Sequence, residues 1–342
     1  MTENARKPGI SRRSVMKYAA AGTAAGMIGM PFIARAQSAT TLRVAHIEST
    51  DSATHKGYEA FAQKVAEATN GAVEVKIFPA GQLGGLRDLY EGLKLGSVDI
   101  TSSGPDYTAS IAPVMVTAAL YYSYRDAAHA DRAFEGEFSQ KLSEALAEQA
   151  NMRILAWGEL GWRSVFNTVR PIKGPEDMKG LKIRVPEAAL HLVPMTALGA
   201  SPTPIPYAEV YTSMQTGVVD GAEGAPAAII QQKFNEVSKF LSLTRHLYNP
   251  LHIVISGSAY EKLGGNGDAV SAAALEAFRD QRAQARADNE AALKTLADSG
   301  LAINDDVDMD AMRALVEPTW AELTADLGAS GTELVKLLQA AA

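Results

Sequence analysis

Between Leu42 and Ser103 the hydrophobic pattern switches back and forth between two periods, and that alternation restricts the fold more than any other feature of the chain. LRVAHI (42–47) reads as a short apolar strand. Tyr58, Phe61, Ala62, Val65 and Ala66 then recur at i, i+3, i+4, i+7 and i+8, one apolar face of a helix over 53–69. Asn70-Gly71 ends that helix. Val73, Val75 and Ile77 alternate with Glu74 and Lys76, the period of a half-buried strand. Leu86, Leu89, Tyr90 and Leu93 mark a second helix closed by Gly96, and SVDITSS (97–103) a third strand. Strand, helix, strand, helix, strand in that order implies a parallel sheet with right-handed crossovers.

Phe134, Phe138, Leu142 and Leu146 predict one long helix, followed by the strand RILAWGEL (153–160). From 161 the pattern restarts. LKIRVP (181–186) reads as a strand, 187–198 as a helix and SPTPIP (201–206) as a proline-stiffened link. A helix ended by Gly217, the strand VVDGAEG and a helix over 227–237 follow. After the strand LHIVISG (251–257), an Ala-rich helix over 268–298 is long enough to run across two lobes. The expected fold is α/β, two lobes joined by several crossings. Ligands of open α/β sheets sit beyond the carboxyl ends of strands, where Arg184 and the segment after Asp220 both fall.

The 342 residues include no cysteine, which excludes disulfides, thiolate catalysis and Cys-ligated metals. Ser11–Lys17 (SRRSVMK) puts paired arginines before a mildly apolar stretch, and Ala34-Arg35-Ala36 offers small residues where a signal peptidase reads. Residues 1–36 are therefore expected to be a twin-arginine signal and the remainder to be periplasmic, without a lipid anchor. That segment holds six of the 32 basic and one of the 39 acidic side chains, which leaves 26 against 38 and a net charge of −12. So acidic a protein is a poor partner for nucleic acid, and an anionic ligand needs a local positive site.

No G-x-S-x-G elbow, Walker A loop, G-x-G-x-x-G or H-E-x-x-H is present, and the residues call for no cofactor. His46, His55 and His246 are scattered and read as structural hydrogen-bonders. Asp306, Asp308, Asp310 and Glu317 fit positions 1, 3, 5 and 12 of a calcium loop, but Ala311 stands where glycine is required and Arg313 two positions later. A solvated turn with Asp308 or Asp310 capping the next helix fits better. Tyr121, Tyr122 and Tyr124 suit either a ligand shelf or packing between lobes.

Arg184 is the anomaly, a guanidinium inside a run that reads as a buried strand. Burying it alone is strongly unfavourable, so either a structural carboxylate pairs with it or a carboxylate arrives with a ligand. Its fork suits a carboxylate held by two parallel bonds of about 1.5–3 kcal/mol each. With a few polar contacts these bring a small acid to roughly micromolar affinity, ~8 kcal/mol. Spacing leaves both outcomes open.

GQLGGLRDLYEGLKLGSVDI, RPIKGPEDMKGLKIRVPE, GASPTPIPYAEVYTSMQTGVVDGAEG and QQKFNEVSKFLSLTRH together resemble the substrate-binding proteins of TRAP transporters, from about Thr41 to the C-terminus. The resemblance implies a two-lobed flytrap, not an enzyme, that closes over an organic acid. It hands that acid to the small and large membrane subunits and works as a monomer. Lobe I is then 37–160 plus 250–288 and lobe II 161–249 plus 289–342, with the hinge near Leu160, Pro250 and the long helix. It implies that Arg184 holds the ligand carboxylate, that Arg163 assists and that Tyr207 lines the pocket. Sialic-acid-binding members read Q-E-N-P where this chain has Ala222-Glu223-Gly224-Ala225, so Gly224 replaces the usual asparagine and Glu223 becomes a contact. Gly104 likewise replaces a carboxylate contact of those members, which argues against a sialic-type sugar acid. Glu48, Ser49 and Ser103 from the first lobe, with Glu187 and His246, complete the candidate ligand set. Arg163 has a structural alternative in bracing the hinge and Tyr207 in the core, while Glu187 or Glu223 is the candidate internal partner of Arg184. The competing functions are a binding protein of another importer or sensor and a cofactor enzyme exported folded.

Overall fold

The structure, a computed structural model, describes residues 39–342, and the export signal expected in residues 1–36 lies outside them. In chain order the elements that position the site begin with β1 (Thr40–Ala45), α1 (Ala53–Ala68), β2 (Val73–Phe78), α2 (Leu86–Leu95) and β3 (Ile100–Ser103). Next come α3 (Ala127–Glu135), α4 (Glu137–Ala150), β4 (Met152–Asn167), β5 (Lys182–Val185), α5 (Ala189–Ala197), β6 (Ser201–Pro204) and β7 (Gly221–Gly224). The rest are α6 (Pro226–Gln231), β8 (Phe240–Ser256), α7 (Gly267–Asp298), β9 (Ala302–Asn304), α8 (Met309–Val316) and α9 (Gly328–Ala340).

The described residues form one sheet in the order β2-β1-β3-β8-β4-β7-β5-β6, with β9 beside β8. β1, β2 and β3 are parallel, as the alternating pattern requires. β5, β6 and β7 form a second parallel group. The two groups are joined by β4 and β8, which pair antiparallel from Met152↔Ser256 to Asn167↔Phe240. Three register shifts interrupt that ladder, one of them between Glu159 and Gly161. Such irregularities bend and twist a strand, which turns the sheet from one lobe into the other. Gly161 has φ +110°, a conformation a side chain would strain, and a Cβ there would strike the Asn289 amide.

Four apolar clusters divide between the lobes. Leu42, Val44, Tyr58, Phe61 and Phe278 share one in the first lobe. Ile183, Val185, Met195 and Met312 share one in the second. Helix α7, 32 residues and so about 48 Å long, contributes Ala274, Ala277 and Phe278 to the first lobe and Leu296 to the second. Gln281 of α7 accepts from the Glu159 N–H at 2.9 Å and donates to the Glu159 carbonyl at 2.7 Å, fixing the helix to the crossover. The bare backbone of Gly158 makes room for that amide and that of Gly57 for the Gln281 stem. The last helix returns to the first lobe, with Leu334 and Leu338 packed among Phe138, Leu142 and Leu146.

Several expectations need correction. β4 and β8 run 16 and 17 residues rather than about seven, because polar Arg163, Ser164 and Asn249 mask strands that are continuous through the crossover. The expected helix over 134–146 is two, broken at Gly136. SPTPIP is not merely a link. Ser201–Pro204 forms β6, an edge strand, the one place in a sheet where prolines lose no ladder bond on their open side.

Candidate functional site

A cleft of about 740 Å³ opens between the lobes at the carboxyl ends of β1, β3 and β5. Its second-lobe wall is cationic. Arg184, 4% exposed, reaches it from β5. Its Nε donates to the Ile205 carbonyl at 2.8 Å and its guanidinium carbon lies 5.9 Å from the Tyr207 ring centre. No carboxylate of the described residues forms an ion pair with it. Burial pushes its pKa down to about 10, against the pull of Glu223, so the charge persists at neutral pH.

Arg163, from β4, is half-buried, its side chain 14% exposed, and already holds a carboxylate. Its Nε and one terminal nitrogen grip both Glu223 carboxylate oxygens, and that nitrogen also donates to the Glu223 carbonyl at 3.0 Å. Behind them His246 Nε2 lies 3.3 Å from Glu223 Oε2. Burial opposes ionisation of Glu223, but Arg163 and His246 hold its carboxyl well below the usual carboxylate range. Glu223 is thus an internal partner, of Arg163 rather than of Arg184.

The first-lobe wall is acidic. Glu48 follows β1 and reaches the cleft half-buried, without a side-chain hydrogen bond among the described residues. Burial pushes its carboxyl up to about 7, although Arg163 draws it down. Asp106, two residues beyond Gly104, lies 3.2 Å from His191 Nε2 on α5, and His191 Nδ1 lies 3.0 Å from Tyr121 OH. A lobe I carboxylate therefore touches a lobe II imidazole across the cleft. A Cβ at Gly104 would sit 2.3 Å from Asp106 Oδ1 and 3.0 Å from Asn249 Oδ1, so a side chain there would displace both groups.

Of the expected ligand set, Arg184, Arg163, Tyr207, Glu223, Gly224, Glu187, Glu48 and Ser103 line the cleft. Ser103 spends its hydroxyl on Tyr90 OH, at 2.8 Å, and on the Gly104 carbonyl. Glu187 is exposed at the rim. Ser49 and His246 are outside the lining. Ser49 offers its carbonyl to the Ser52 hydroxyl at 2.7 Å, and His246 is sealed behind Glu223. Asp106 and Asn249 line the cleft and were missed. Asp106 was within reach, because the turn after β3 is where a ligand of a parallel sheet belongs.

Elsewhere the alternatives resolve. Tyr121, Tyr122 and Tyr124 are buried, spread over cores of both lobes, and none lines the cleft. Asp308 caps α8, accepting from the Ala311 N–H at 2.9 Å, while Asp306 turns to Lys173 at 2.7 Å. His46 and His55, scattered in sequence, meet at 3.1 Å.

Two lobes, two long strands crossing between them and a cleft in which Arg184 has no carboxylate partner among the described residues define a solute-binding protein for small anions. Residues 44–326 match the family model described as bacterial extracellular solute-binding protein, family 7 (DctP), and the chain belongs to that family. It is a TRAP-type substrate-binding protein and not an enzyme. It is 33% identical over 275 residues to the 2,3-diketo-L-gulonate-binding periplasmic protein YiaO of Escherichia coli K12, covering 80% of this chain and 84% of that one. It superposes on a TRAP periplasmic solute-binding protein of Chromohalobacter salexigens with bound D-glucuronate at a TM-score of 0.84, 31% identity, covering 88% of this chain and 100% of that one. A Bordetella bronchiseptica counterpart with density assigned as pantoate gives a TM-score of 0.82 at 31% identity, covering 89% and 99%. No helix of the described residues is long and apolar enough to cross a membrane.

Proposed function

We propose that the chain captures a hydroxylated organic acid, of the sugar-acid kind, in the periplasm and delivers it as a monomer to the small and large TRAP membrane subunits. The observation that carries this reading is the Arg184 guanidinium, buried against the cleft without a carboxylate of its own. An incoming carboxylate supplies the missing charge and two acceptors in the geometry the fork requires. Tyr207 and the bare backbone at Gly224 flank it; a Cβ at Gly224 would meet nothing closer than Phe166 at 3.6 Å, so the space there is open to ligand. Arg163 holds the floor of the cleft through Glu223, and Glu48, Asp106 and Asn249 offer acceptors to hydroxyl groups. The relatives named for 2,3-diketo-L-gulonate and D-glucuronate support an acid of this kind.

In this reading lobe I is 37–160 plus 250–288 and lobe II is 161–249 plus 289–342, with the segment from Gly328 strapped back onto lobe I. The lobes close about the crossover at Glu159–Gly161 and Pro250, guided by α7. Residues 1–36 direct export through the twin-arginine route. Native mass spectrometry of the purified protein tests the assignment, with a retained acid of a few hundred daltons as the expected result. Calorimetric titration with sugar acids, other hydroxy acids and C4-dicarboxylates should give one-to-one binding. Failure of every carboxylate to bind would reject the reading.

A further inference from the structure

The two cleft walls differ in what they leave unbalanced, and Glu48 is the odd group on the first-lobe side. Its carbonyl accepts from the Ala80 N–H at 3.0 Å, which fixes the loop after β1 and aims the side chain into the cleft. Glu187 and Arg87 lie toward solvent, Arg87 pairing loosely with Glu91 at 3.5 Å. Asp106 is occupied by His191, and Glu223 by Arg163. Glu48 alone among these inner carboxyls has no partner among the described residues.

The groups around it leave it without a cation. Arg163 and Tyr207 face it from the second lobe. His46, two residues before it in the loop after β1, with His55 of α1 against it, and Asp106 beyond β3 lie on its own side. Arg163 is already neutralised by Glu223. His46 is pushed down to about 4, chiefly by burial and then by His55, and so stays uncharged near neutrality. Arg184 is committed to the ligand. A ligand end that reaches Glu48 therefore meets an acceptor and no spare positive charge.

We propose that Glu48 sets the charge limit of the ligand: one carboxylate docks at Arg184, and the far end must be a hydroxyl or another donor that Glu48 can accept. A second carboxylate there faces a like charge in a partly desolvated cleft, and discrimination follows from that repulsion as much as from the attraction at Arg184. The protein thus takes hydroxylated monocarboxylates and rejects the diacids of the same carbon skeleton. This rests on the sugar-acid reading above and narrows it.

The test is a calorimetric comparison of aldonates, uronates and erythronate with their matched aldarates, at pH 8 and pH 6, for the wild type and Glu48→Gln. The wild type at pH 8 should favour the best monoacid over its diacid by about tenfold or more, the scale of one unit of pKa-equivalent interaction. Glu48→Gln should weaken the monoacid, which exchanges a charged acceptor for a neutral one, strengthen the diacid, and so raise the diacid-to-monoacid ratio about tenfold. Lowering the pH should raise that ratio in the wild type, because the Glu48 carboxyl takes up a proton. In Glu48→Gln the ratio should stay constant, which assigns the shift to Glu48. Equal binding of monoacid and diacid by the wild type, or a ratio unmoved by Glu48→Gln, overturns this inference and leaves the sugar-acid reading standing. Absence of binding by every monoacid overturns both.

Discussion

Arg163 and Arg184 line one cleft with the same charge, Arg184 buried and Arg163 half-buried, yet their surroundings differ in the feature that decides their use. Arg163 grips a buried glutamate with Nε and one terminal nitrogen, and that glutamate is backed by His246. Arg184 has one backbone carbonyl and the face of a tyrosine. The first is a finished ion pair that shapes the floor of the cleft. The second is an unfinished one, whose missing half is the ligand in the function proposed above. Burial alone therefore does not mark a binding arginine; the count of its partners does. The opposite shifts record this, with Arg163 raised by Glu223 and Arg184 lowered by desolvation.

Removing the unfinished pair should separate binding from stability. Arg184→Ala deletes two charge-assisted bonds to a carboxylate, about 3–6 kcal/mol in all, so affinity should fall roughly 10²- to 10⁴-fold by calorimetry. The ligand-free melting temperature should hold or rise, since an unpaired buried charge is removed. A mutant that binds undiminished would end the distinction. The finished pair should respond the other way round. Glu223→Ala leaves the half-buried Arg163 without its carboxylate and should cost about 3–5 kcal/mol of stability. Replacing both partners together, Arg163→Met with Glu223→Leu, should recover most of that loss, because it leaves no lone charge. Thermal unfolding of the three ligand-free proteins decides it, and equal losses in the single and double variants would mean that the pair is not what stabilises the floor.

Acid should act on the same pair. The Glu223 pKa is depressed in the fold, so its contribution is complete above the unfolded carboxyl value near 4.5 and is lost as the pH falls through the lower folded value. The stability advantage of the wild type over Glu223→Gln should accordingly be constant from pH 8 to 5 and shrink below about 4.5. A gap that instead closes between pH 8 and 6 would point to His246 as the titrating group.

The contrast between the arginines was half legible in the sequence. LKIRVP has the alternation of a buried strand, so Arg184 had to be anomalous, and its position at a strand's carboxyl end followed from the parallel order of elements. Arg163 was harder. Its partner Glu223 is 60 residues away in sequence, and only the pairing of β4 with β7, which sets Val165 opposite Glu223, brings them together. That register follows from β4 continuing beyond Leu160, and the polar run Arg163-Ser164 concealed the continuation. Local periodicity identifies elements because neighbours along the chain share a face. It cannot show a strand that serves two lobes, since its two halves face different surroundings. Asp106 escaped for a simpler reason, as a carboxylate after Gly104-Pro105 looks like any turn residue until His191 is seen against it.

Glu48 offers a cation-free counterpart to Arg184, a carboxyl left unfinished on the facing wall. Its pKa is raised, so ionising it in the fold costs stability as the pH rises above the unfolded value near 4.5, with the full cost reached above about 7. Glu48→Gln should therefore stabilise the ligand-free protein by about 1–2 kcal/mol at pH 8 and hardly at all at pH 4.5. Calorimetric unfolding across that range reads it, and a stabilisation independent of pH would mean that packing, not charge, is responsible.

The smallest effect should come from a forked pair on the surface. Arg245 reaches Asp305 with its two terminal nitrogens, at 2.7 and 3.1 Å, and both side chains are exposed. Here water solvates both partners before and after folding, and salt screens them, so the pair contributes only about 0.2–1 kcal/mol. Asp305→Asn should lower the melting temperature by no more than a degree or two, and the difference should vanish in molar salt. Glu223→Ala should keep most of its loss in the same salt, because counterions do not reach the floor of the cleft. Equal salt sensitivity of the two variants would show that the buried fork is hydrated in solution, and Arg163 would then stand in the same position as Arg184, able to give up its glutamate for a ligand.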